Sequence, residues 1–319
     1  MANEPTRPST PDGTTEQHRS ISTTRRALRG VAAFAAGAPF TALVAAVEVA
    51  VATAALGVPR STAPVAVGLV AFAVYAADHV ADAEGDAAST PSRARVALRY
   101  GDQLMTAAAV SYGVALALAV RAGPAALALV CVPGAVWIGY ASDWLPALGD
   151  VAAPLAEVSV PRLKDVFLLN SAAVALAWAV AVVAAPLAFG GVAVEAVGLR
   201  TVALLFAYVA VRSFVDVEVP NVRDVAADAA RDVATFPVVY GVGRTRRVLL
   251  GVDALAAGLL AALAATGTAS RPALVALAAG LAVSVAVTAL ADRLDGATLG
   301  VAPDCSYLVA GIVLLALGP

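Results

Sequence analysis

Six aspartates in two matched sets carry the chemistry most open to this chain. Asp78, Asp82 and Asp86 form one ladder in steps of four, and Asp224, Asp228 and Asp232 form a second. Each member of the second set lies 146 positions after its counterpart in the first. Both sets follow long apolar runs, and carboxylates near a membrane are costly and usually kept for function. Residues four apart share one face of a helix. A helix that continues past Ala77 would therefore make Asp78, Asp82 and Asp86 a vertical stripe. Like charges at that spacing repel by about 0.2–0.5 kcal/mol per pair, and a bound divalent cation offsets the repulsion. Mg²⁺ takes hard oxygen ligands and is commonly held by one or two carboxylates together with substrate phosphates. Two facing stripes would bind two or more such ions with a diphosphate between them, neutralising the diphosphate as it leaves. A single Asp-x-x-x-Asp is usually a solvated helix end. Two triple ladders at equivalent places shift the balance to a site built from two halves of the molecule.

The neighbours extend that reading. Asn221 stands three residues before Asp224 and adds a neutral oxygen. Arg223 and Arg231 lie among the second set, and Arg93 and Arg95 follow the first. Arginine binds phosphate oxygens in pairs, although each of these also suits a plain membrane anchor. Lys164, the only lysine in the chain, sits in Arg162-Leu163-Lys164-Asp165 and could reach a phosphate or snorkel to the interface. His79, inside the first ladder, reads as a solvated helix-end histidine before it reads as a ligand. Glu84 and Glu218 are spaced to face elsewhere. Tyr140 ends an apolar run beside Ser142, Asp143 and Trp144, where a belt aromatic is the simpler role. Asp304 falls within the last apolar run, as a buried functional acid or a surface one.

The elements that must position these groups are membrane helices. Hydrophobic residues make up 61% of the chain and charged residues 14%, too few charges to cover a soluble globule, which carries about 25%. A net charge of −2 gives no basis for nucleic-acid binding. Cys131 and Cys305 both lie in apolar runs and imply no disulfide framework. Crossing a bilayer takes roughly 20 apolar residues, and nine such runs are present, near 28–57, 62–79, 103–121, 124–142, 166–189, 193–215, 247–267, 272–291 and 299–318. Pro39 offers the first, long run a place to kink. With the N-terminus in the cytoplasm, 17 of the 21 Lys and Arg residues fall on the cytoplasmic side, and so do both ladders. In that count Arg93, Arg95 and Arg99 belong to the loop after the second span, and Arg212 to the segment after the sixth. Residues 1–24, rich in Ser, Thr, Pro and charge, read as a disordered tail, leaving residues 25–319 as one transmembrane domain. The ladder offset suggests two related four-helix units plus a ninth helix.

Nine spans with acidic ladders after the second and sixth resemble the UbiA superfamily of intramembrane prenyltransferases. The family pattern after span two is Asn-Asp-x-x-Asp-x-x-x-Asp. Here Asp78 takes the place of the Asn and His79 that of the first Asp, while Asp82 and Asp86 match. After span six the family has Asp-x-x-Asp-x-x-x-Asp, then a Gly and Thr-Leu-Pro. Here Asn221 replaces the first Asp, Asp224 and Asp228 match, Asp232 falls where the Gly is usual, and Thr235-Phe236-Pro237 keeps the Thr-x-Pro. Tyr140 and the Arg162–Lys164 segment are similar to the family's loop after span four, where a Tyr and a Lys help hold a prenyl diphosphate.

The resemblance implies an all-α multi-pass membrane protein, with about nine helices around a central cavity that opens sideways to lipid and is capped by cytoplasmic segments. It implies transfer of a prenyl group from a polyprenyl diphosphate to a hydrophobic acceptor, a quinone precursor or a lipid type. Mg²⁺ would be held by Asp82, Asp86, Asp224 and Asp228 with help from Asp78 and Asn221. Lys164, Arg223 and Arg93 would bind phosphate oxygens, and Tyr140 the donor. Three rivals stay open. A transporter would place its carboxylates near mid-span beside broken helices. A CDP-alcohol phosphotransferase would need Asp-Gly and Ala-Arg elements that the first ladder lacks. A catalytically silent relative would bind a prenyl lipid without reacting.

Overall fold

The computed structural model describes residues 37–84, 90–141, 169–230 and 233–318. All regular structure among them is helical. In chain order the helices are α1 (Ala38–Leu56), α2 (Ala63–Ala81), α3 (Pro91–Ala122), α4 (Pro124–Ala141), α5 (Leu169–Gly190), α6 (Val194–Val197), α7 (Leu199–Glu218), α8 (Asn221–Ala230), α9 (Phe236–Tyr240), α10 (Val242–Ala265), α11 (Arg271–Leu290), α12 (Gly296–Leu299) and α13 (Ala302–Leu317).

Each of the nine apolar runs carries one long helix among the described residues. By length and composition, α1, α2, α3, α5, α10 and α11 are able to cross a membrane on their own. Two of the other three depart for readable reasons. Helix α7 carries Arg200, Arg212, Asp216 and Glu218 in 20 residues. Helix α13 has only 16 residues, and α4, 18 uncharged residues long, is as apolar as the six, with its side chains from residue 134 on outside the described residues. The protein is thus an all-α, multi-pass membrane protein in which six spans stand on composition alone.

Two boundaries differ from expectation. Pro39 does not kink a helix: it occupies the first turn of α1, where its missing N–H would have no partner anyway. Helix α3 begins at Pro91, well before the apolar run, and changes direction at Tyr100 (φ −126°, ψ 26°). Arg93, Arg95 and Arg99 therefore lie on a helix and not in a loop. The proposed disordered tail, residues 1–24, lies outside the described residues.

The nine long helices pack in chain order as a closed ring, with α13 returning to α1. Helix α1 also touches α5, α7 and α11 and so leans into the middle of the ring. Lipid tails are as apolar as leucine, so helices in a bilayer associate through close van der Waals fit, and small residues permit it. Ala45, Ala63, Ala66, Ala179, Ala256, Ala273 and Ala276 are fully buried at these contacts. A Cβ placed on Gly68 of α2 would stand 2.9 Å from the carbonyl oxygen of Ala42 on α1, and one on Gly280 of α11 would stand 2.9 Å from that of Ser306 on α13. Both glycines let two backbones meet.

Candidate active site

The two ladders end up in different settings. Helix α2 stops at Ala81, with Asp82 as its C-cap at φ −96°. The expected stripe is therefore shorter than the sequence suggested: Asp78 and Asp82 remain one turn apart, with Asp82 exposed, and Asp86 lies outside the described residues. The second ladder has a helix of its own. The chain turns at Val219-Pro220 and restarts as α8, with Asp224 and Asp228 a turn apart on it; Asp232 lies outside the described residues. Lys164 does too, as does the side chain of Tyr140.

Helix α8 is tied down. Arg223 grips Asp224 with two parallel bonds, Nε to Oδ1 at 2.8 Å and Nη2 to Oδ2 at 2.6 Å. Its stem and guanidinium lie on α12, where a Cβ on Gly296 would meet Arg223 Cγ at 2.9 Å and one on Gly300 would meet Nη1 at 2.6 Å. Helix α12 is capped by Asp295, whose carboxylate accepts from the Thr298 N–H at 3.0 Å and hydroxyl at 2.8 Å. These bonds hold the Asp295 carboxyl below its usual pKa. Asn221 donates its side-chain N–H to Glu218 at 3.0 Å, and Thr235 donates to Asp228 at 3.4 Å. Glu218, expected to face elsewhere, is buried and anchors Asn221.

Three other expectations change. His79 is not solvated but buried, with its ring edge-on to Tyr75 at 6.2 Å between centroids. Arg212 is no surface anchor. It is 1% exposed in the middle of the bundle. It donates to Ser284 on α11 and, at 2.8 Å, to Ser306 on α13. It also lies 3.7 Å from both Asp216 and Asp253 and 5.3 Å above the Tyr307 ring. Ser284 in turn donates to Asp253 at 3.1 Å. Asp304, left open between surface and interior, lines a cavity.

That cavity, of about 200 Å³, lies inside the ring. Its wall is built from Thr41, Val44 and Glu48 of α1, Tyr75 of α2, Val174 and Trp178 of α5, Ser213, Asp216 and Val217 of α7, Pro220, and Asp304 and Tyr307 of α13. Tyr75 is one turn before Asp78, and Pro220 is one turn before Asp224. The wall therefore runs up to the foot of both acid pairs. Trp178 donates its indole N–H to Glu48 at 2.5 Å. Beneath lies a second, smaller space lined by Glu48, Tyr208, Arg212, Tyr307 and aliphatic groups. Glu48, Trp178, Arg212, Ser213, Asp216, Asp253 and Tyr307 were not singled out from the sequence as site residues. A lone charge inside an apolar run was the available signal for Glu48, Arg212 and Asp253.

Among the described residues no three His, Cys, Asp or Glu side chains converge closely enough to hold an ion by themselves. The donor set still fits a magnesium diphosphate. Asp78, Asp82, Asp224 and Asp228 offer hard oxygens in two pairs, and one or two carboxylates per ion suffice when phosphates supply the rest. Asp224 uses two lone pairs on Arg223 and keeps two.

No family model matches the chain, and no curated protein does. Solved structures do match over most of its length. A UbiA homologue from Aeropyrum pernix K1 aligns with a TM-score of 0.64 at 18% identity, covering 88% of this chain and 97% of that one. A UbiA homologue from Archaeoglobus fulgidus aligns at 0.55 and 16%, covering 89% and 94%. A structure concerned with digeranylgeranylglyceryl phosphate synthase aligns at 0.50 and 15%, covering 87% and 95%. The closed ring of helices is the fold of these UbiA homologues.

Proposed function

We propose that the protein is an intramembrane prenyltransferase that moves a prenyl group from a polyprenyl diphosphate to a hydrophobic acceptor. The observation that carries this reading is the pair of acids at the end of α2 and the pair on α8, each one turn beyond a residue of the cavity wall, Tyr75 and Pro220. Asp82, Asp86, Asp224 and Asp228 would hold Mg²⁺, assisted by Asp78 and Asn221. Bound there, Mg²⁺ would neutralise charge on the departing diphosphate.

The protein's own groups do the rest. Arg223 holds Asp224 in place from its cradle on α12, and in this reading it would set that carboxylate, and its own charge, beside the donor's phosphates. Arg93 and Lys164 are further phosphate contacts in this reading, and Tyr140 a contact to the donor. The hydrocarbon wall of the ring keeps water from the allylic carbon while its C–O bond breaks. The active side faces the cytoplasm, following the distribution of arginines. Between a quinone precursor and a lipid-type acceptor, the choice rests with the chemistry of the cavity wall.

A transporter reading draws on Glu48 and Asp253, carboxylates near the middle of their helices. Both are engaged, Glu48 by Trp178 and Asp253 by Ser284 and Arg212, and α1 and α10 run unbroken past them. The deciding experiment supplies geranylgeranyl diphosphate, Mg²⁺ and extracted cell lipids to the full chain in lipid nanodiscs. Diphosphate release that needs Mg²⁺, Asp82 and Asp228 is expected. Release indifferent to all three would sink the proposal.

A further inference from the structure

The cavity wall says something about the acceptor. Among the described residues it holds three carboxylates, Glu48, Asp216 and Asp304, and no Lys, Arg or His. The nearest cation, Arg212, is committed to Ser284, Ser306, Asp216 and Asp253 and has Tyr307 across its face. An acceptor carrying a carboxylate or phosphate into this space would bury an anion beside three carboxylates and no free cation, which is strongly unfavourable.

The wall is nevertheless polar and unsatisfied. Ser213 is 4% exposed, and its hydroxyl makes no hydrogen bond, while Asp216 and the Tyr307 hydroxyl lie against each other beside Arg212. Buried polar groups are normally paired, so the unpaired Ser213 hydroxyl among the polar groups lining this cavity points to an occupant. Asp304 stands apart from the other two acids. Glu48 is held by Trp178 and Asp216 faces Arg212, whereas Asp304 makes no side-chain hydrogen bond or ion pair among the described residues.

Resting on the prenyl-transfer reading, we propose that this cavity takes an uncharged acceptor, and that Asp304 receives the proton the acceptor gives up. The diphosphate leaves with the electron pair of the allylic C–O bond. A π pair of the acceptor forms the new C–C bond to that carbon, and the positive charge passes to the acceptor. The adjacent C–H then gives its proton to an Asp304 oxygen, and its electron pair restores the double bond. Products are prenylated acceptor, diphosphate and one proton. The rings of Tyr75, Trp178 and Tyr307 face the transient charge.

The test divides the cell-lipid extract by anion exchange into uncharged and acidic fractions. Each is given to the full chain in nanodiscs with radiolabelled geranylgeranyl diphosphate and Mg²⁺. Label is expected in the uncharged fraction, at least tenfold above the acidic one. Asp304→Asn, an isosteric change, is expected to lower kcat about 100-fold, within the range for a lost general base, and to leave KM for the donor unchanged. Asp304→Glu should recover part of the rate. A merely structural role would change KM and kcat together and would not distinguish Asn from Glu. Label entering the acidic fraction as fast as the uncharged one, or full activity in Asp304→Asn, would overturn the inference. Mg²⁺-dependent diphosphate release with no label in either fraction would overturn it alone. Loss of that release as well would remove the proposed function and the inference together.

Discussion

The carboxylates at the rim of the cavity and those buried beneath it obey opposite rules. At the rim, Asp82 is exposed at a helix end, and Asp228 accepts a long bond from Thr235. Inside, Asp253 is 1% exposed and locked between Ser284 and Arg212, itself tied to helices α11 and α13. These two rim carboxylates lie near solvent, where single charge contacts contribute little to the fold. The buried guanidinium joins three helices, so its loss would be felt by the whole ring. Activity and stability should separate along this line.

The largest effect should come from Arg212→Met. Removing one partner of a buried ion group leaves the others uncompensated, at about 3–5 kcal/mol. Thermal unfolding in detergent should show a large drop in midpoint, and an unchanged midpoint would break the contrast. Asp228→Ala should do the reverse. Transition-state charge contacts of this type are worth roughly 10²–10³-fold, so diphosphate release should fall by about that much while the unfolding midpoint stays put. Gly300→Ala probes the link between α12 and α8. Its Cβ would press on the Arg223 guanidinium, and donor KM should rise by about tenfold, or about 1.4 kcal/mol, if that arginine touches phosphate. Thr235→Val removes only a 3.4 Å bond to Asp228. A neutral hydrogen bond is worth about 1 kcal/mol or less net, so the rate should drop no more than about fivefold.

How much of this was legible depends on the physics of each part. The nine helices were readable because a bilayer demands long apolar runs, and each run holds a helix. Their ends were less so: apolarity does not mark where α3 begins, since its first turns leave the apolar run and carry Arg93, Arg95 and Arg99. The ladders were readable as spacing, yet spacing assumed that helix α2 continued to Asp86, whereas it ends at Ala81. The cavity was the least legible. Glu48, Arg212, Asp216 and Asp304 lie on three helices far apart in sequence, and only ring closure brings them together. Counting Arg212 with the surface arginines was reasonable by position and wrong by packing, because Ser284 and Ser306 arrive 72 and 94 residues later.

Ring closure also sets an order of assembly. Helix α13 is the last helix of the described residues, and it supplies Asp304, Ser306 and Tyr307 as well as Gly311, where a Cβ would collide with Val47 of α1. Domains emerge from synthesis N-terminal end first. Until that helix inserts, Glu48 lacks one wall of its cavity and Arg212 lacks Ser306, leaving costly polar groups on an open seam. A chain stopped before residue 302 would leave that seam open to lipid, so that α13 acts as the seal of the ring.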